Sequence, residues 1–491
     1  MTAIRKDNAL SRGQRLMLGF QIISGKRWIF LLLGLLLAAL VISYITVKTP
    51  LILGLVLFGL IAGILFLFIT FVYPKVGFFS AFVLPFFLFI LDRWIGYDIQ
   101  FGSAIQAIMA VTLVIILFKK FSRNDLSFSF LKNNVSIAFL ALMLYNVFQG
   151  LNPNQTSIIG WLIVLKGSLS LICTYIVAMY LCQDLKFIKQ FIALWIFMAF
   201  ISALYACHQE WFGLADFELR YIHADQLRYN RIFNQGHYRK FSLLSDPAAF
   251  GMFMAASSII TFVVAASPIK NRLRIILVVA GIFMLLAMSY SGTRTAVAMI
   301  PAAILLIGLM TITNRRVLFF SACLALIFGF IIFGPIYGNT TVNRIRSTFD
   351  TENASLNVRD VNKQFIQPYI WEHPFMGGGL LTTGPQGARY SPNHYLAGFP
   401  PDSGYLKTAL ETGITGLVLF MVFIFVGLKE GIRNYYHTRQ GKLKYVYLAF
   451  VAFVFACSIA LYAQSVTAQI PIAFLFYPVM GFMAGLKKMH Q

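Results

Sequence analysis

Residues 50–72 read PLILGLVLFGLIAGILFLFITFV, a run without a charged side chain. A helix needs about 20 mostly apolar residues to cross the hydrocarbon core of a bilayer, so this run is long enough to span a membrane. The whole chain extends the pattern. Of its 491 residues, 59% are hydrophobic and 12% are charged, and the mean hydropathy is +0.77. Soluble domains carry about 25% charged residues, so this composition excludes a soluble enzyme, a disordered chain and a disulfide scaffold.

Similar apolar runs recur along the chain and predict an all-α integral membrane protein. We expect about 12–14 transmembrane helices in a single polytopic domain over residues 1–491. The first of these runs along the chain, 28–47, is followed by no small-residue cleavage site. We therefore expect it to remain as an anchor. The predicted spans are 28–47, 50–72, 77–91, 101–118, 134–150, 157–182, 187–207, 246–266, 275–289, 294–312, 317–337, 404–428, 445–464 and 468–486.

The net charge of +23 is distributed unevenly between the two sides that these spans define. The side that holds the N-terminus carries 25 basic and 4 acidic residues, a balance of +21. Short cytoplasmic loops of membrane proteins are enriched in Lys and Arg. We therefore predict that both termini are cytoplasmic. The charge orients the helices, and no nucleic-acid partner is expected.

Two long segments, 208–245 and 338–403, fall on the opposite, extracytoplasmic side. Long loops on an otherwise membrane-embedded protein are usually functional, and we expect short helices in the larger one. No pair of matching Gly- or Pro-broken spans appears in the two halves, which argues against a secondary transporter.

Polar motifs concentrate on this predicted outer side. In the first loop, Arg239 precedes Pro247 by eight residues. The sequence Ser-Gly-Thr-Arg at 291–294 stands between two apolar runs. The second loop and the start of the next span carry Arg359, Trp371, His373-Pro374, Gly377-Gly378-Gly379, Asn393-His394-Tyr395, Pro401-Asp402-Ser403-Gly404-Tyr405 and Glu411-Thr412-Gly413.

The order of these motifs over residues 230–430 resembles the O-antigen ligase and Wzy-type O-antigen polymerase superfamily. Arg239 resembles the family's Arg before an Asn-Pro segment, and residues 291–294 resemble its Ser-x-x-Arg element. Arg359 and the segment 371–379 resemble its Arg and His-Pro-Gly signature. The resemblance implies a polytopic protein of the bacterial cytoplasmic membrane. Its donor would be a lipid-diphosphate-linked saccharide used on the outer face.

One departure from the family pattern bears on its two branches. Family ligases carry His-Asn-x-Tyr-Leu just before Glu-Thr-Gly, but here Asp402 and Ser403 stand at those positions, followed by Tyr405 and Leu406. His394 lies eight residues too early for the ligase histidine. Asp at this position resembles the polymerase branch and favours a polymerase.

The expected chemistry assigns roles to these side chains. A diphosphate leaving group suits guanidinium groups, which stay protonated and bind phosphate oxygens in a bidentate manner. Arg239, Arg294 and Arg359 are the candidate clamp. The acceptor hydroxyl needs a general base, for which Asp402 and His394 are the candidates. No metal-ligand spacing is present, so we expect no metal and no other cofactor.

Each assignment has a structural alternative. Arg294 could anchor the helix by snorkelling to headgroups, and Arg239 could pair with acidic residues of its own loop. Asp402 could cap the following helix, and His394 could be an ordinary loop histidine.

Lys166 stands in the middle of a predicted span, where an ammonium group costs a few kcal/mol unless it faces a cavity or a partner. We predict that it lines the lipid-diphosphate cavity, with a buried structural ion pair as the alternative. Trp371, Tyr390 and Tyr405 are candidate contacts to the sugar or the acceptor.

The sequence therefore predicts a membrane glycosyltransferase. It would move an oligosaccharide linked to polyprenyl diphosphate, with undecaprenyl as the expected lipid, to an acceptor glycan and polymerise O-antigen or exopolysaccharide repeats. Membrane lipids and glycan-assembly proteins are the expected partners. A ligase that transfers glycan to lipopolysaccharide core or protein is the enzymatic alternative. A polysaccharide exporter without chemistry is the other alternative, but its conduit would need polar residues in many spans.

Overall fold

A computed structural model describes the chain apart from the N-terminal segment, most of 313–365 and a few short gaps. The described residues are 51–95, 102–125, 127–234, 236–312, 322, 326, 329, 364 and 366–489. Most of this part is α-helical. In chain order the helices are α1 Leu51–Val72, α2 Pro74–Ile95, α3 Gly102–Ser122, α4 Asn134–Phe148, α5 Ile158–Leu181, α6 Leu185–Trp211, α7 Asp216–His223, α8 Gln226–Ile232, α9 Pro247–Ala266, α10 Asn271–Tyr290, α11 Arg294–Met310, α12 Gly384–Tyr390, α13 Gly404–His437, α14 Gly441–Ala460 and α15 Ala473–Gly485.

The remaining regular structure is short. An antiparallel hairpin pairs β1 Phe233–Asn234 with β2 His237–Tyr238. Residues 366–372 are helical as well. Short 3-10 turns cover Ser129–Leu131, Gln149–Leu151, Val466–Ala468 and Leu486–Met489.

The predicted all-α membrane fold is confirmed. Within the described residues, nine helices are long and apolar enough to cross a bilayer, namely α2 to α6, α9, α10, α13 and α14. Twelve of the fourteen predicted spans coincide with a helix. The span at 28–47, and that at 317–337 apart from three single positions, lie outside the described residues. The predicted short helices of the second loop are present as residues 366–372 and α12.

Two compact units divide the chain. The first contains the described residues of 51–78 and 110–128, and the second contains those of 79–109 and 129–489. In the first unit, the Lys119 ammonium donates to the Val72 carbonyl at 3.1 Å. All candidate site residues that the structure describes lie in the second unit.

Helix α9 is the most deeply buried of the nine candidate spans. It packs against α6, α10, α11 and α14. The fully buried Trp195 of α6 donates from its indole nitrogen to the Ser257 hydroxyl of α9 at 2.9 Å, so its polar atom is satisfied inside the core. Helix α14 also packs against α11 and α13. It therefore connects the helix that starts at Arg294 with the helix that follows Asp402.

Candidate functional site

Arg239 joins the first loop to the turn between α10 and α11. Its Nε donates to the Ser291 carbonyl at 2.9 Å and its Nη2 donates to the Thr293 hydroxyl at 3.1 Å. Its Nη1 donates to the Arg231 carbonyl at 3.2 Å. Two of the predicted arginine motifs therefore meet in space. We call Arg239, Ser291, Thr293 and Arg294 the arginine cluster.

The turn before Arg294 is built by short polar residues and one glycine. Gly292 has a φ of +56°, which lies in the left-handed region that glycine adopts without steric cost. The Ser291 hydroxyl accepts from the Thr293 amide at 3.2 Å and donates to the Met288 carbonyl at 2.7 Å. Thr293 then occupies the N-cap position of α11, and Arg294 is the first helical residue, partly buried.

Two helix N-termini meet at the arginine cluster. The Thr293 hydroxyl donates at 2.9 Å to the carbonyl of Pro247, the first residue of α9. The Asp246 carboxylate caps α9 by accepting from the amides of Ala248 and Ala249. A helix N-terminus carries about half a positive charge and orients amide donors toward an anion. The Arg239 guanidinium therefore lies where two positive helix ends meet. One of these ends is capped by Asp246, and Arg294 is the first residue of the other.

A buried ion pair that we did not predict organises the first loop. The Arg93 guanidinium of α2 lies 3.6 Å from the Glu218 carboxylate of α7, and both side chains are 1% exposed. Arg93 also donates to the Ser242 and Leu244 carbonyls. Glu218 accepts from the Gln209 amide at 2.7 Å and from the Tyr205 hydroxyl at 3.1 Å. A buried pair needs such extra hydrogen bonds to offset its desolvation. In the sequence, the only indication of this pair is Arg93, which stands just after the predicted span 77–91.

Helix α13 is interrupted at Gly413, where φ is +72° and ψ is −179°. The Gly378 amide donates to the Leu410 carbonyl at 2.7 Å, and the Gly379 amide donates to the Glu411 carbonyl at 3.0 Å. The Ile414 amide donates to the Pro374 carbonyl at 2.7 Å. Segment 374–379 thus satisfies backbone groups that the interrupted helix leaves unpaired. We call it the docked segment.

The loop between α4 and α5 holds the docked segment from the other side. The Asn152 side-chain amide donates to the Met376 carbonyl at 2.8 Å, and that of Asn154 donates to the Gly377 carbonyl at 2.9 Å. The Gln155 side-chain oxygen accepts from the Leu380 amide at 2.7 Å. The Tyr145 hydroxyl contacts the carbonyls of Phe375 and Thr412. Sequence reasoning missed these four residues, although Asn152-Pro-Asn-Gln is a polar cluster on the predicted outer side.

A Gly413→Ala substitution is expected to displace the docked segment. A Cβ at this position would lie 2.6 Å from the Phe375 carbonyl carbon and 2.7 Å from the Pro374 oxygen. The positive φ adds about 1–2 kcal/mol of strain for a non-glycine residue. We expect the Tm of the purified protein to fall by several degrees and glycan product to fall with it. Gly167→Ala is the matched control, because a Cβ there has no atom within 4 Å. Equal stability of the two variants would contradict the docking interpretation.

Glu411 connects the rest of the second loop to α13. Its carboxylate is buried and accepts from the Thr383 hydroxyl at 2.5 Å. The Lys407 ammonium lies 4.0 Å away, one helical turn earlier. The Glu-Thr-Gly motif of the sequence thus serves both as a helix break and as an anchor for the loop.

His394, one of the two candidate bases, is half-buried and engaged at both ring nitrogens. Its Nδ1 accepts from the Leu396 amide at 3.1 Å, which places the proton of the neutral ring on Nε2. Nε2 lies 3.2 Å from the Tyr369 hydroxyl. Burial lowers the pKa of His394, with a smaller contribution from His373. A neutral ring in this arrangement can donate from Nε2, but its one basic nitrogen is already occupied.

Asp402, the other candidate base, lies just before α13 and is partly buried. The cap of this helix is Ser403, whose hydroxyl accepts from the Leu406 amide at 3.3 Å. Ser403, and not Asp402, thus occupies the N-cap position of α13. The Ser403 hydroxyl also donates to the Leu461 carbonyl at 3.1 Å, which positions the start of α13 against the end of α14.

The three predicted contacts to the sugar or the acceptor differ in their surroundings. Trp371 is 67% exposed on the helical stretch 366–372, where its ring can be reached by a ligand. The Tyr405 hydroxyl donates to the Ser458 carbonyl at 2.8 Å, so Tyr405 packs α13 against α14. Tyr390 is the last residue of α12 and lies 5.3 Å from the Arg389 guanidinium.

Lys166 is exposed, and its ammonium donates to the Ser103 hydroxyl of α3 at 2.8 Å. The alternative of a buried ion pair is therefore wrong. No contact joins Lys166 to the arginine cluster among the interactions of the described residues. Arg359, the third predicted member of the clamp, lies outside the described residues.

Residues 279–421 match the family model described as O-antigen ligase. The match begins in α10 and ends in α13, within the predicted region 230–430. It includes the Ser291–Arg294 turn, the docked segment, Asp402 and the Gly413 break. No curated protein matches this chain. The predicted resemblance to the O-antigen ligase and polymerase superfamily is confirmed, and the match supports glycosyl transfer to a glycan acceptor from a lipid-linked saccharide.

Proposed function

We propose that this protein, which carries an O-antigen ligase family domain at residues 279–421, polymerises lipid-linked glycan repeats. The donor is an oligosaccharide on polyprenyl diphosphate, and the acceptor is a sugar hydroxyl of a second lipid-linked repeat. The reaction takes place at the outer face of the bacterial cytoplasmic membrane. The charge asymmetry of the loops supports this orientation, with both termini cytoplasmic.

The arginine cluster is the main observation in support of this proposal. The Arg239 guanidinium donates to Ser291 and Thr293, which immediately precede Arg294, so two arginines far apart in the sequence come to the same turn. A diphosphate is the ligand that such a concentration of fixed positive charge suits, since its own charge is dense and permanent. Charge on the diphosphate grows as the glycosidic bond breaks. The same field therefore stabilises the transition state more than the bound donor, which is the condition for catalysis.

In the proposed step, the acceptor oxygen attacks the anomeric carbon of the donor sugar. The hydroxyl proton passes to the Asp402 carboxylate, and the bond between the anomeric carbon and the diphosphate oxygen breaks. The polyprenyl diphosphate leaves with the bonding electrons and is held by Arg294. Arg239 fixes the turn that presents Arg294 and adds charge to the site. Arg359 stays a predicted third member of the clamp.

Asp402 is favoured over His394 as the base because of what surrounds the histidine. The basic nitrogen of His394 already accepts from the Leu396 amide, and burial keeps its ring neutral by lowering its pKa. Asp402 is next to the helix start and does not serve as its cap. A carboxylate within hydrogen-bond reach of the acceptor can take the proton in the transition state.

A ligase that delivers finished glycan to lipopolysaccharide core or to protein is the second candidate. The description of the matched family favours it. The two reactions share the donor and the leaving group and differ only in the acceptor.

A deletion strain distinguishes the two candidates. Loss of a polymerase leaves single unpolymerised repeats on the lipid carrier, whereas loss of a ligase leaves full-length chains on the carrier. We expect single repeats, measured by mass spectrometry of extracted lipid-linked glycans and reversed by the wild-type gene. Long carrier-linked chains would assign the ligase reaction. A glycan pool identical to that of the parent strain would contradict both.

A further inference from the structure

A polar cavity lies at the far end of α13 from the candidate site. Its volume is about 290 Å³, and it is enclosed by the starts or ends of α4, α5, α13 and α15. Arg433 lines it, 19 residues along α13 from Ile414, the first residue after the break at Gly413. At 1.5 Å per residue this corresponds to about 30 Å, roughly the thickness of a bilayer core. The cavity therefore lies at the membrane surface opposite the arginine cluster.

Three cationic side chains from separate parts of the chain line this cavity. Lys132 follows the 3-10 turn before α4, Arg433 is in the last turns of α13, and Lys487 follows α15. Glu430 is the one carboxylate among the lining residues, and its side chain also accepts from Asn434 at 3.4 Å. Three positive charges against one negative charge leave the cavity net positive, so an anion is the ligand whose charge it matches.

The start of α4 strengthens this preference. Asn133 and Asn134, the N-cap and first residue of this 15-residue helix, both line the cavity. The amides of the first helical turn and the helix dipole favour an anion at this end. The Asn133 side chain is already used as the cap, since it accepts from the Ser136 amide at 2.9 Å.

Part of the remaining lining is apolar. Phe130, Met179 and Ala484 line the cavity and are buried. A site with cations and an apolar wall at a membrane surface suits an amphiphile with a phosphate headgroup, because basic pockets between helices bind anionic lipid headgroups.

We propose that this cavity binds the phosphate group of an anionic ligand, at the surface opposite the site of glycosyl transfer. Lys132, Arg433 and Lys487 contact the phosphate oxygens, and Glu430 limits the affinity. A phospholipid headgroup such as phosphatidylglycerol and free phosphate share this chemistry. The inference does not depend on the identity of the glycosyl transfer reaction.

The first arm of the test measures lipid retention. The full chain is released from micelles that contain equal amounts of phosphatidylglycerol and phosphatidylcholine, and native mass spectrometry counts the bound lipids. The wild type is expected to prefer phosphatidylglycerol. The triple variant Lys132→Gln, Arg433→Gln, Lys487→Gln is expected to lose this preference by about tenfold or more, since each charge near an anionic headgroup contributes to binding. Glu430→Gln is expected to increase the preference for phosphatidylglycerol. Because this variant tests the same cavity in the opposite direction, the proposal can be tested even if the triple variant does not fold.

The matched control removes three exposed charges from the same end of the molecule. The variant Lys429→Gln, Arg439→Gln, Lys442→Gln changes the net charge equally but alters no residue that lines the cavity. It is expected to retain phosphatidylglycerol like the wild type. An equal loss in the control and the triple variant would overturn the site, because general surface charge would then explain the retention.

The second arm tests free phosphate. The protein is heated in phosphatidylcholine micelles with sodium phosphate or with sodium chloride at equal ionic strength. A higher Tm in phosphate for the wild type, absent in the triple variant, would identify free phosphate as a ligand. Preference in the lipid arm alone would identify the headgroup. No preference in either arm overturns the proposal.

Discussion

Replacing Arg294 by alanine is expected to reduce glycan product by about a hundredfold to a thousandfold, the range seen when one preorganised donor to a developing anion is removed. Arg294 is the first residue of α11, next to the turn that Arg239 holds. Lysine keeps the charge but lacks the planar fork that binds phosphate oxygens in pairs, so Arg294→Lys is also expected to lose most of the product. Product is measured in membranes supplied with the lipid-linked repeat.

The control for Arg294 is Arg220→Ala, which removes an exposed arginine from the first loop. It should leave product unchanged, and all three variants should insert into the membrane in equal amounts. Wild-type product in both Arg294 variants would refute the diphosphate clamp. A membrane anchor that only snorkels to headgroups would show no such loss in Arg294→Lys.

The second large effect is expected at Asp402. Asp402→Asn keeps the shape of the side chain but removes the proton acceptor, and general-base catalysis contributes about a hundredfold to ten-thousandfold. We expect the rate of transfer to fall within this range, while α13 keeps its N-cap because that cap is Ser403. Transfer is measured as the initial rate of chain growth, together with thermal unfolding of the purified variant.

His394→Ala is the comparison for Asp402. Its ring bonds the Leu396 amide and approaches the Tyr369 hydroxyl, so its removal should lower the Tm by destabilising the second loop. At a temperature where the variant is folded, transfer should persist. Loss of transfer in His394→Ala with a normal Tm, and retention in Asp402→Asn, would make His394 the base. Full activity in both variants would refute both assignments.

The helical content and the positions of the spans could be predicted because hydropathy is a local property of the chain. A run such as 50–72 has no stable arrangement in water or lipid other than a helix that satisfies its own backbone groups. The structure accordingly places a helix at twelve of the fourteen predicted spans. The Ser291–Arg294 turn could also be recognised in the sequence. Residue types that bind phosphate rarely occur between two apolar runs.

The contacts of the site could not be predicted in the same way, because they join residues far apart in sequence. Arg93 and Glu218 are separated by more than a hundred residues, and nothing local pairs a span end with α7. The docked segment was recognised in the sequence only as part of a family signature. Its role depends on the break at Gly413, which exists only when the Pro374 and Gly378 backbone groups are there to bond it. Lys166 looked buried by its sequence position, yet it lies on the exposed side of α5.

The sequence by itself determined that this is a polytopic helical membrane protein, and it predicts that the polar motifs share one side of the membrane. Composition and charge depend on single residues and not on how the chain packs. A bilayer takes up long apolar runs as helices and retains Lys- and Arg-rich loops on the cytoplasmic side. Only the tertiary structure decided that Arg239 bonds the turn before Arg294, that Ser403 and not Asp402 caps α13, and that the basic nitrogen of His394 is occupied. Hydrogen bonds are short and directional, so their partners depend on how the helices pack, and no periodicity along the chain encodes that packing.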